Sequence, residues 1–330
     1  MAHPTISRSL TVTAEAWEFR KPFRITGHTF RSADIVHVTL SEGGHTGQGE
    51  AAGVYYLNET GEGMRLQIEA VRAEIEAGCG RQRLRELMPP GGARNAVDCA
   101  LWDLEAKKAE TTIWDLTGIE PGPTCTVLTI GIGTPEEMAE SARALDSPRL
   151  KVKLNDEMPL ERIRAVREAR PDAEIIVDIN QGWTFEQLVD LAPRFGELDI
   201  AMIEQPLPRG GDEALEGYAP PVPLAADESC LCVSEFEQAA RRYQIINIKL
   251  DKTGGLTEAL ELARLAEARD IDLMIGNMMG TSLAIAPAYV VAQLCRFIDL
   301  DGALFLKNDR PHALSYEHGM VSVPTPELWG

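Results

Sequence analysis

Two lysines share one face of an apolar segment near the middle of the chain. Residues 149–155 read RLKVKLN, so Lys151 and Lys153 alternate with aliphatic side chains. Successive side chains of a β-strand point to opposite faces, and both ammonium groups therefore point the same way. A buried ammonium group is costly unless an acceptor or an acid is paired with it. The segment therefore predicts acidic partners on the same side of a sheet.

Polar residues at the ends of the following apolar segments could supply these partners. They are Asp178 in IIVDINQGW, Glu204 in MIEQPLP, Asp227 in LAADES, Lys249 in INIKLDKTGG, and Asp299 and Asp301 in FIDLDG. From Lys153 to Lys249, successive members of this series lie 22 to 26 residues apart. That distance is about one strand plus one helix, so we expect these side chains to converge at one end of a barrel.

Three of these residues, Asp178, Glu204 and Asp227, follow consecutive strands without any histidine or cysteine among them. An all-oxygen ligand set of this kind predicts Mg²⁺, with Mn²⁺ also possible. Without a cation the three carboxylates would repel each other, and the pKa of at least one would rise.

Lys153 and Lys249 flank the three acids from two sides, four strands apart. A lysine near its ordinary pKa of about 10.4 is a poor base at neutral pH. A divalent cation and a second ammonium group nearby should lower that pKa. The arrangement predicts proton transfer at the carbon next to a metal-bound carboxylate, with one lysine serving each face of that carbon. The metal and Lys151 would stabilise the enediolate.

The elements that must position these residues change character along the chain. Residues 9–56 alternate and turn like an antiparallel sheet, and helical patterns follow. After a proline- and glycine-rich break at residues 118–125, eight short apolar runs from TVLTIGI to CRFIDLD alternate with helical stretches. This rhythm predicts a (β/α)8-type barrel. The alternative is an open doubly wound sheet, but no G-x-G-x-x-G motif follows an early strand.

Composition limits the class of partner and the location. The chain has 330 residues and a net charge of −19, which argues against nucleic acid or an anionic membrane surface as partner. The N-terminus lacks the apolar region of a secretory signal, and the longest apolar run, residues 283–295, is too short to span a bilayer. Six cysteines without a pattern indicate reduced thiols, and we expect a cytoplasmic protein.

Five motifs together resemble the muconate-lactonising subgroup of the enolase superfamily: K-x-K, D-x-N-x-x-W, E-Q-P, A-D-E-S and N-I-K-L-x-K-x-G-G. Within that subgroup the sequence is most similar to dipeptide epimerases of the L-Ala-D/L-Glu epimerase type. The resemblance runs essentially end to end. It implies an α+β capping domain at residues 1–122, a modified (β/α)7β TIM-type barrel at residues 123–300, and a C-terminal segment, residues 301–330, that returns to the cap.

The resemblance also implies a role for each candidate residue. Asp178, Glu204 and Asp227 would bind Mg²⁺, Lys153 and Lys249 would be the acid/base pair, and Lys151 would contact the substrate carboxylate. Thr129 matches a position that touches substrate, and Asp299 and Asp301 match a pair that holds the α-ammonium group of a dipeptide. Asp299 and Asp301 could instead cap the last turn of the barrel.

The loop at residues 24–31 departs from the family pattern. Relatives often offer an arginine there to the side-chain carboxylate of a glutamate in the substrate. In this sequence the choices are Arg24, His28 and Arg31, with His28 in the place of the arginine of some members. His28 could equally be a solvated loop residue.

The function implied by the resemblance is epimerisation of a dipeptide in peptidoglycan recycling. Alternatives in the same class are an N-acylamino-acid racemase, a cycloisomerase or a dehydratase. Asp299 and Asp301 favour a free amine, because an acylated nitrogen offers no charge to two carboxylates. A non-catalytic binder of an acidic metabolite is the alternative from another class, but binding alone needs neither lysine. Homo-oligomers are common for this architecture.

Overall fold

The structure is a computed structural model that describes residues 8–25 and 28–330. It begins with a three-stranded antiparallel sheet made of β1 (Ser9–Ile25), β2 (His28–Glu42) and β3 (His45–Ala52), in that order. Five helices follow: α1 (Gly61–Ala70), α2 (Arg72–Glu76), α3 (Arg81–Leu87), α4 (Gly92–Lys108) and α5 (Ile113–Thr117). These elements form the cap.

Helix α4 packs directly on strand β3 because β3 carries glycines where the two backbones meet. A Cβ atom added to Gly49 would overlap the carbonyl oxygen of Ala96, and one added to Gly47 would overlap that of Ala100. The absence of side chains therefore lets the helix lie against the strand backbone.

The second part of the chain is a curled sheet of eight parallel strands. They are β5 (Leu128–Ile130), β6 (Arg149–Lys153), β7 (Glu174–Asp178), β8 (Ile200–Glu204), β9 (Leu224–Ala226), β10 (Ile245–Ile248), β11 (Asp272–Ile275) and β12 (Phe297–Ile298). Neighbours in the sheet follow chain order, and the backbone N–H of Val127 donates to the carbonyl oxygen of Ile298 at 2.8 Å, which joins the first strand region to the last. The barrel prediction is confirmed, each predicted apolar run holds one strand, and the open doubly wound alternative is wrong.

Helices connect these strands: α6 (Pro135–Ala144), α7 (Pro159–Ala169), α8 (Phe185–Glu197), α9 (Phe236–Ala239), α10 (Leu250–Thr253), α11 (Leu256–Glu267) and α12 (Ser282–Ala292). A third, small sheet pairs β4 (Thr124–Cys125) with β14 (Met320–Val321), and β14 with β13 (Tyr316–Glu317). Within the residues that the structure describes, no helix is long and apolar enough to cross a membrane.

The inside of the barrel is built in two layers. A lower layer of buried apolar side chains fills it: Val127, Ile176, Met202, Ala225, Ile245, Met274 and Phe297. On each strand, the next side chain that points inward comes two residues after the apolar one. These positions carry Thr129, Asp178, Glu204, Asp227, Asn247, Gly276 and Asp299. Because the side chains of a strand alternate with a period of two, the apolar layer is followed by a polar layer at the carboxyl ends of the strands.

The C-terminal segment and α11 both tie the barrel to the cap. Leu306 pairs with Phe19 of β1, and the backbone N–H of Lys307 donates to the carbonyl oxygen of Glu18 at 2.9 Å. Asp98 of α4 accepts hydrogen bonds from the backbone N–H of Thr257 of α11 at 2.9 Å and from its hydroxyl at 2.6 Å. The cap is therefore fixed over the barrel rather than merely tethered to it.

Asp98 generates a prediction about pH. Burial raises the pKa of Asp98 from 3.8 to about 6, although the bonds from Thr257 oppose that shift. The folded protein thus retains a proton that the unfolded chain releases, so stability is present near pH 4 and lost as the pH rises through 6. Relative to Asp98→Asn, the wild-type free energy of unfolding should fall by up to about 3 kcal/mol between pH 4 and pH 7. Urea titrations at both pH values measure it.

The exposed Asp156→Asn removes one negative charge without touching the contact between Asp98 and Thr257, and it serves as the control. If Asp98→Asn and wild type lose stability in parallel over this range, Asp98 does not titrate as proposed.

Candidate active site

The polar layer and the segments directly after its strands hold six acids and four lysines that are all buried. The acids are Asp178, Glu204, Asp227, Glu228, Asp299 and Asp301, and the lysines are Lys151, Lys153, Lys249 and Lys252. With every group charged, the layer would have two negative charges in excess. Proton uptake by some acids or a divalent cation would remove that excess.

Lys151 is the central cation of the layer. Its Nζ atom lies 2.6 Å from Oε2 of Glu204, 2.7 Å from Oδ2 of Asp299 and 3.1 Å from Oδ2 of Asp178. Burial alone would lower the pKa of Lys151, but the three acids raise it well above its ordinary value. Lys151 therefore remains an ammonium group and links three strand ends by charge.

The other two predicted lysines stand on opposite sides of the layer. Lys153 on β6 places Nζ 2.5 Å from Oδ2 of Asp178, and Lys249, after β10, places Nζ 2.7 Å from Oδ2 of Asp227. Burial would lower the pKa of Lys249, yet Asp227 and Glu204 raise it. Both lysines also line one cavity, and this arrangement suits two opposed proton carriers.

The three predicted metal ligands are electrostatically coupled. Burial raises the pKa of Glu204 to about 7, the charge of Asp178 adds to the rise, and Lys151 opposes it. Burial also acts to raise the pKa of Asp178, but Lys153 and Lys151 outweigh it and lower the value to about 2. The pKa of Asp227 is lowered in the same way, by Lys249 and Lys252. A proton or cation bound by one of these three acids would therefore also change the pKa values of the other two.

The donor chemistry of this group fits a hard divalent cation. Oε2 of Glu204 lies near Lys151 but receives no well-directed hydrogen bond, and Oε2 of Glu228 is buried without a hydrogen-bond partner. Within the described residues, no three acidic, histidine or cysteine side chains already form a closed ligand set. Lysine ammonium groups contact these carboxylates instead.

Both acids of the D-x-D pair have partners. Asp299 pairs with Lys151, and Oδ2 of Asp301 accepts a hydrogen bond from the backbone N–H of Thr129 at 2.8 Å. Burial and the neighbouring Asp299 raise the pKa of Asp301 to about 7. Thr129 therefore meets this site through its backbone. Asp301 makes no side-chain capping bond to the short 3₁₀ helix Gly302–Phe305, which the capping alternative would require.

A cavity of about 280 Å³ opens above the lysines and reaches into the cap. From the barrel its lining includes Lys153, Asn180, Asp227, Glu228, Lys249 and Asn277. From the cap come the apolar Phe19, Phe23, Ile25 and Phe30 and the polar Ser32, Asp34 and Glu59. The cavity therefore offers both lysines at its barrel side and a mixed apolar and acidic wall at its cap side.

The two candidates from the loop at residues 24–31, His28 and Arg24, differ in whether they line this cavity. His28 lines the cavity, with its ring centroid 4.2 Å from that of Phe30 and 5.2 Å from that of Tyr55. Arg24 is exposed and lines neighbouring grooves beside Arg20 and Glu137. The structure thus brings His28, but not Arg24, to the cavity that holds the lysines.

Three buried residues that contact the site were missed from the sequence. Asn247 donates to Oε1 of Glu204 at 2.7 Å, Lys252 donates to Oδ1 of Asp227 at 2.7 Å, and Gln205 accepts from the backbone of Asp227 at 2.9 Å. Asn247 occupies an inward position one pleat before Lys249, a parity signal that was available. Gln205 and Lys252 follow the ends of their strands, where parity no longer predicts direction.

The absence of a side chain at Gly276 leaves room for Lys249. A Cβ atom on Gly276, the inward position of β11, would lie 3.0 Å from Cε of Lys249 and 2.8 Å from Oδ1 of Asn247. Any side chain there would press on both residues. The missing side chain is therefore part of the site.

Comparison with known proteins identifies the family. Residues 7–118 match the model described as mandelate racemase / muconate lactonizing enzyme, N-terminal domain, and residues 136–327 match the model described as enolase C-terminal domain-like. The chain belongs to this enolase-superfamily family. The resemblance noted from the five motifs is thereby confirmed.

Two curated relatives from the family are 42 % identical to this chain. One is an L-Ala-D/L-Glu epimerase from Escherichia coli strain K12, aligned over 94 % of this chain and 98 % of the relative. The other is an N-acetyl-D-glutamate racemase from a Pseudoalteromonas species, aligned over 74 % of this chain and 78 % of the relative.

Solved structures of the family superimpose on the whole molecule. An enolase family member from Agrobacterium tumefaciens, described with bound sodium and L-Ala-L-Glu, is 43 % identical with a TM-score of 0.95, covering 98 % of this chain and all of that one. A dipeptide epimerase from Enterococcus faecalis, complexed with Mg and L-Leu-L-Tyr, is 28 % identical with a TM-score of 0.90, covering 97 % of each chain.

Removing Lys151 should expose the charge imbalance of the layer. In Lys151→Met, three buried acids lose a shared cation, so the free energy of unfolding in EDTA should fall by about 3–5 kcal/mol. Mg²⁺ should then stabilise this variant more than wild type, because it replaces the lost charge. Denaturant titrations with EDTA and with Mg²⁺ measure both effects.

Lys107→Met is the matched control, because Lys107 pairs with buried Asp103 at 2.8 Å outside the layer. Equal responses of the two variants to Mg²⁺ would contradict the cation-binding interpretation.

Proposed function

We propose that this protein is a Mg²⁺-dependent epimerase that inverts the α-carbon of the second residue of a dipeptide, with L-Ala-D/L-Glu or a close relative as substrate. The main support for this proposal is the position of Lys153 and Lys249. These two lysines stand on opposite sides of three buried carboxylates and line one cavity. A binder of an acidic metabolite would need neither opposed lysine. The 42 % identical L-Ala-D/L-Glu epimerase supports the same reading.

We assign Asp178, Glu204 and Asp227 as the Mg²⁺ ligands, with Mn²⁺ as a possible substitute. When bound, a divalent cation supplies positive charge that lowers the pKa values of the neighbouring lysines and stabilises negative charge at the substrate carboxylate. The ligand chemistry of these acids and the Mg-bound relative from Enterococcus faecalis support the assignment.

The residues of this chain divide the proton transfer between them. Lys153 and Lys249 serve the two faces of the α-carbon, so one removes a proton while the other delivers one to the opposite face. Lys151, held as an ammonium group, contacts the substrate carboxylate and stabilises charge that develops there.

Other candidate residues are assigned to substrate recognition. Asp299 and Asp301 face the α-ammonium group of the dipeptide, and Thr129 holds Asp301 in place through its backbone N–H. His28, which lines the cavity, is the better candidate for the side-chain carboxylate of glutamate, and Arg24 would need to move to reach it.

A second candidate function is racemisation of an N-acylamino acid, and one observation favours it. The other 42 % identical relative is an N-acetyl-D-glutamate racemase. L-Ala-Glu and N-acetylglutamate both carry an acylated nitrogen and a carboxylate on the inverted carbon. They differ in the α-ammonium group of the alanyl residue, so Asp299 and Asp301 are where the two substrates would be distinguished.

We also propose the division of the chain into a cap at residues 1–122, a barrel at residues 123–300 and a C-terminal segment at residues 301–330. The bridge between Phe19 and Leu306 supports the return of that last segment to the cap. A cytoplasmic location is supported by six free cysteines. Peptidoglycan recycling and a homo-oligomeric assembly complete the proposal, with no nucleic acid or membrane partner.

The two-base mechanism predicts distinct effects in deuterated buffer. Lys153→Ala and Lys249→Ala should each stop epimerisation, because one face of the α-carbon loses its proton carrier. Each variant should still exchange the α-proton of the one stereoisomer that faces the remaining lysine. Mass spectrometry and chiral chromatography of L-Ala-L-Glu and L-Ala-D-Glu measure exchange and inversion separately. Near wild-type epimerisation by Lys249→Ala would exclude the mechanism.

Asp301→Asn distinguishes the two candidate functions. Its side-chain oxygen can still accept from Thr129, but the charge that would face an α-ammonium group is lost. The kcat/KM for L-Ala-L-Glu should fall by roughly ten- to a hundredfold, from a charge-assisted bond of about 1.5–3 kcal/mol. N-acetyl-L-glutamate, which lacks that ammonium group, should lose little.

Equal losses on both substrates would mean that Asp301 is structural. A wild-type preference for N-acetylglutamate over every dipeptide tested would favour the second candidate function.

A further inference from the structure

Gln205 lies directly after Glu204, at the point where the chain leaves β8. Its backbone has φ +37°, in the left-handed region that non-glycine residues seldom adopt, and the residue is fully buried. Such a conformation persists when surrounding contacts require it. Here the contacts are made by the side-chain amide, which points across to the loop after β9.

The amide of Gln205 fits this loop atom by atom. Oε1 accepts hydrogen bonds from the backbone N–H of Asp227 at 2.9 Å and of Ser229 at 3.0 Å. Nε2 donates to the carbonyl oxygen of Leu207 at 2.8 Å and to the hydroxyl of Ser229 at 2.8 Å. One neutral side chain thus fixes the backbone on both sides of Glu228.

Asp227 is held from its other side by Lys252. Nζ of Lys252 donates to the carbonyl oxygen of Asp227 at 2.6 Å and to its Oδ1 at 2.7 Å, while Oδ2 pairs with Lys249. Every polar atom of Asp227 therefore has a partner. Among the described side chains that hydrogen-bond to Asp227, Gln205 is the only uncharged one, so replacing it with another neutral residue changes position without changing the charge of the layer.

We propose that Gln205 is a positioning residue that sets the direction of the Asp227 carboxylate toward the divalent cation. This inference rests on the proposed function, in which Asp227 is a metal ligand. Groups that orient a metal ligand typically contribute ten- to a hundredfold to metal affinity. Without Gln205, the Asp227 and Ser229 N–H groups would lose their acceptor and the loop would shift to satisfy them.

Tyr243 provides a matched control in the same network. Its hydroxyl lies 3.2 Å from Nε2 of Gln205 and 3.4 Å from Oγ of Ser229, and it donates to Oδ2 of Asp212 at 2.7 Å. Tyr243→Phe therefore removes buried hydrogen bonds of this network and leaves the bonds of Gln205 to the backbone N–H groups of Asp227 and Ser229 in place. It reports the loss of buried hydrogen bonds other than those two.

The test measures Mn²⁺ binding by electron paramagnetic resonance of free Mn²⁺, on the full chain without substrate. Gln205→Met should weaken Mn²⁺ binding by about ten- to a hundredfold. Tyr243→Phe should bind like wild type. Circular dichroism confirms that each protein is folded.

Several outcomes overturn the proposal. It is wrong if folded Gln205→Met binds Mn²⁺ like wild type, or if Tyr243→Phe loses as much affinity as Gln205→Met. Should Gln205→Met not fold, Gln205→Asn replaces it, because its shorter side chain cannot reach both N–H groups and the same loss is expected. If the wild-type protein binds no Mn²⁺, the proposed metal function itself is wrong, a result distinct from those above.

Discussion

Charge compensation inside the barrel is the constraint on which the rest of the structure depends. Six buried acids and four buried lysines meet in a layer one pleat above an apolar floor. Lys151 alone contacts acids from three other strands, so the strand ends are joined by charge as well as by the backbone. The two excess negative charges match one divalent cation. Without it, burial raises the pKa values of Glu204, Glu228 and Asp301, which favours protons at these acids.

The cap matters because the barrel closes only the lower side of the cavity. Aromatic and aliphatic residues of β1 and β2 form its upper wall, and these strands are held in place by α4, α11 and the C-terminal segment. Arg310 illustrates the linkage, since it pairs with Glu50 of β3 at 2.7 Å and with Glu15 of β1 at 3.0 Å. The cavity is thus lined by residues of the cap as well as by residues of the barrel.

Two levels of support surround the reacting groups. Lysines and acids contact each other directly, and Gln205 and Lys252 also hold the backbone of Asp227. Separation of this kind lets the charge of the front layer change during a reaction while its geometry is retained.

The sequence alone determined the barrel and the identity of its polar layer. The reason is local: alternation along a strand decides which side chains point inward, and the spacing of 22 to 26 residues repeats one strand and one helix. Lys151, Lys153, Asp178, Glu204 and Asp227 could therefore be recognised, and the structure brings them together. Only the tertiary structure decided which lysine pairs with which acid, because residues from strands far apart in sequence, such as Lys151 and Asp299, meet through closure of the barrel. It alone also brought Gln205 and Lys252 to Asp227, and His28 rather than Arg24 to the cavity. Beyond a strand end, the direction of a side chain depends on turns and on the packing of another domain, and neither follows from periodicity.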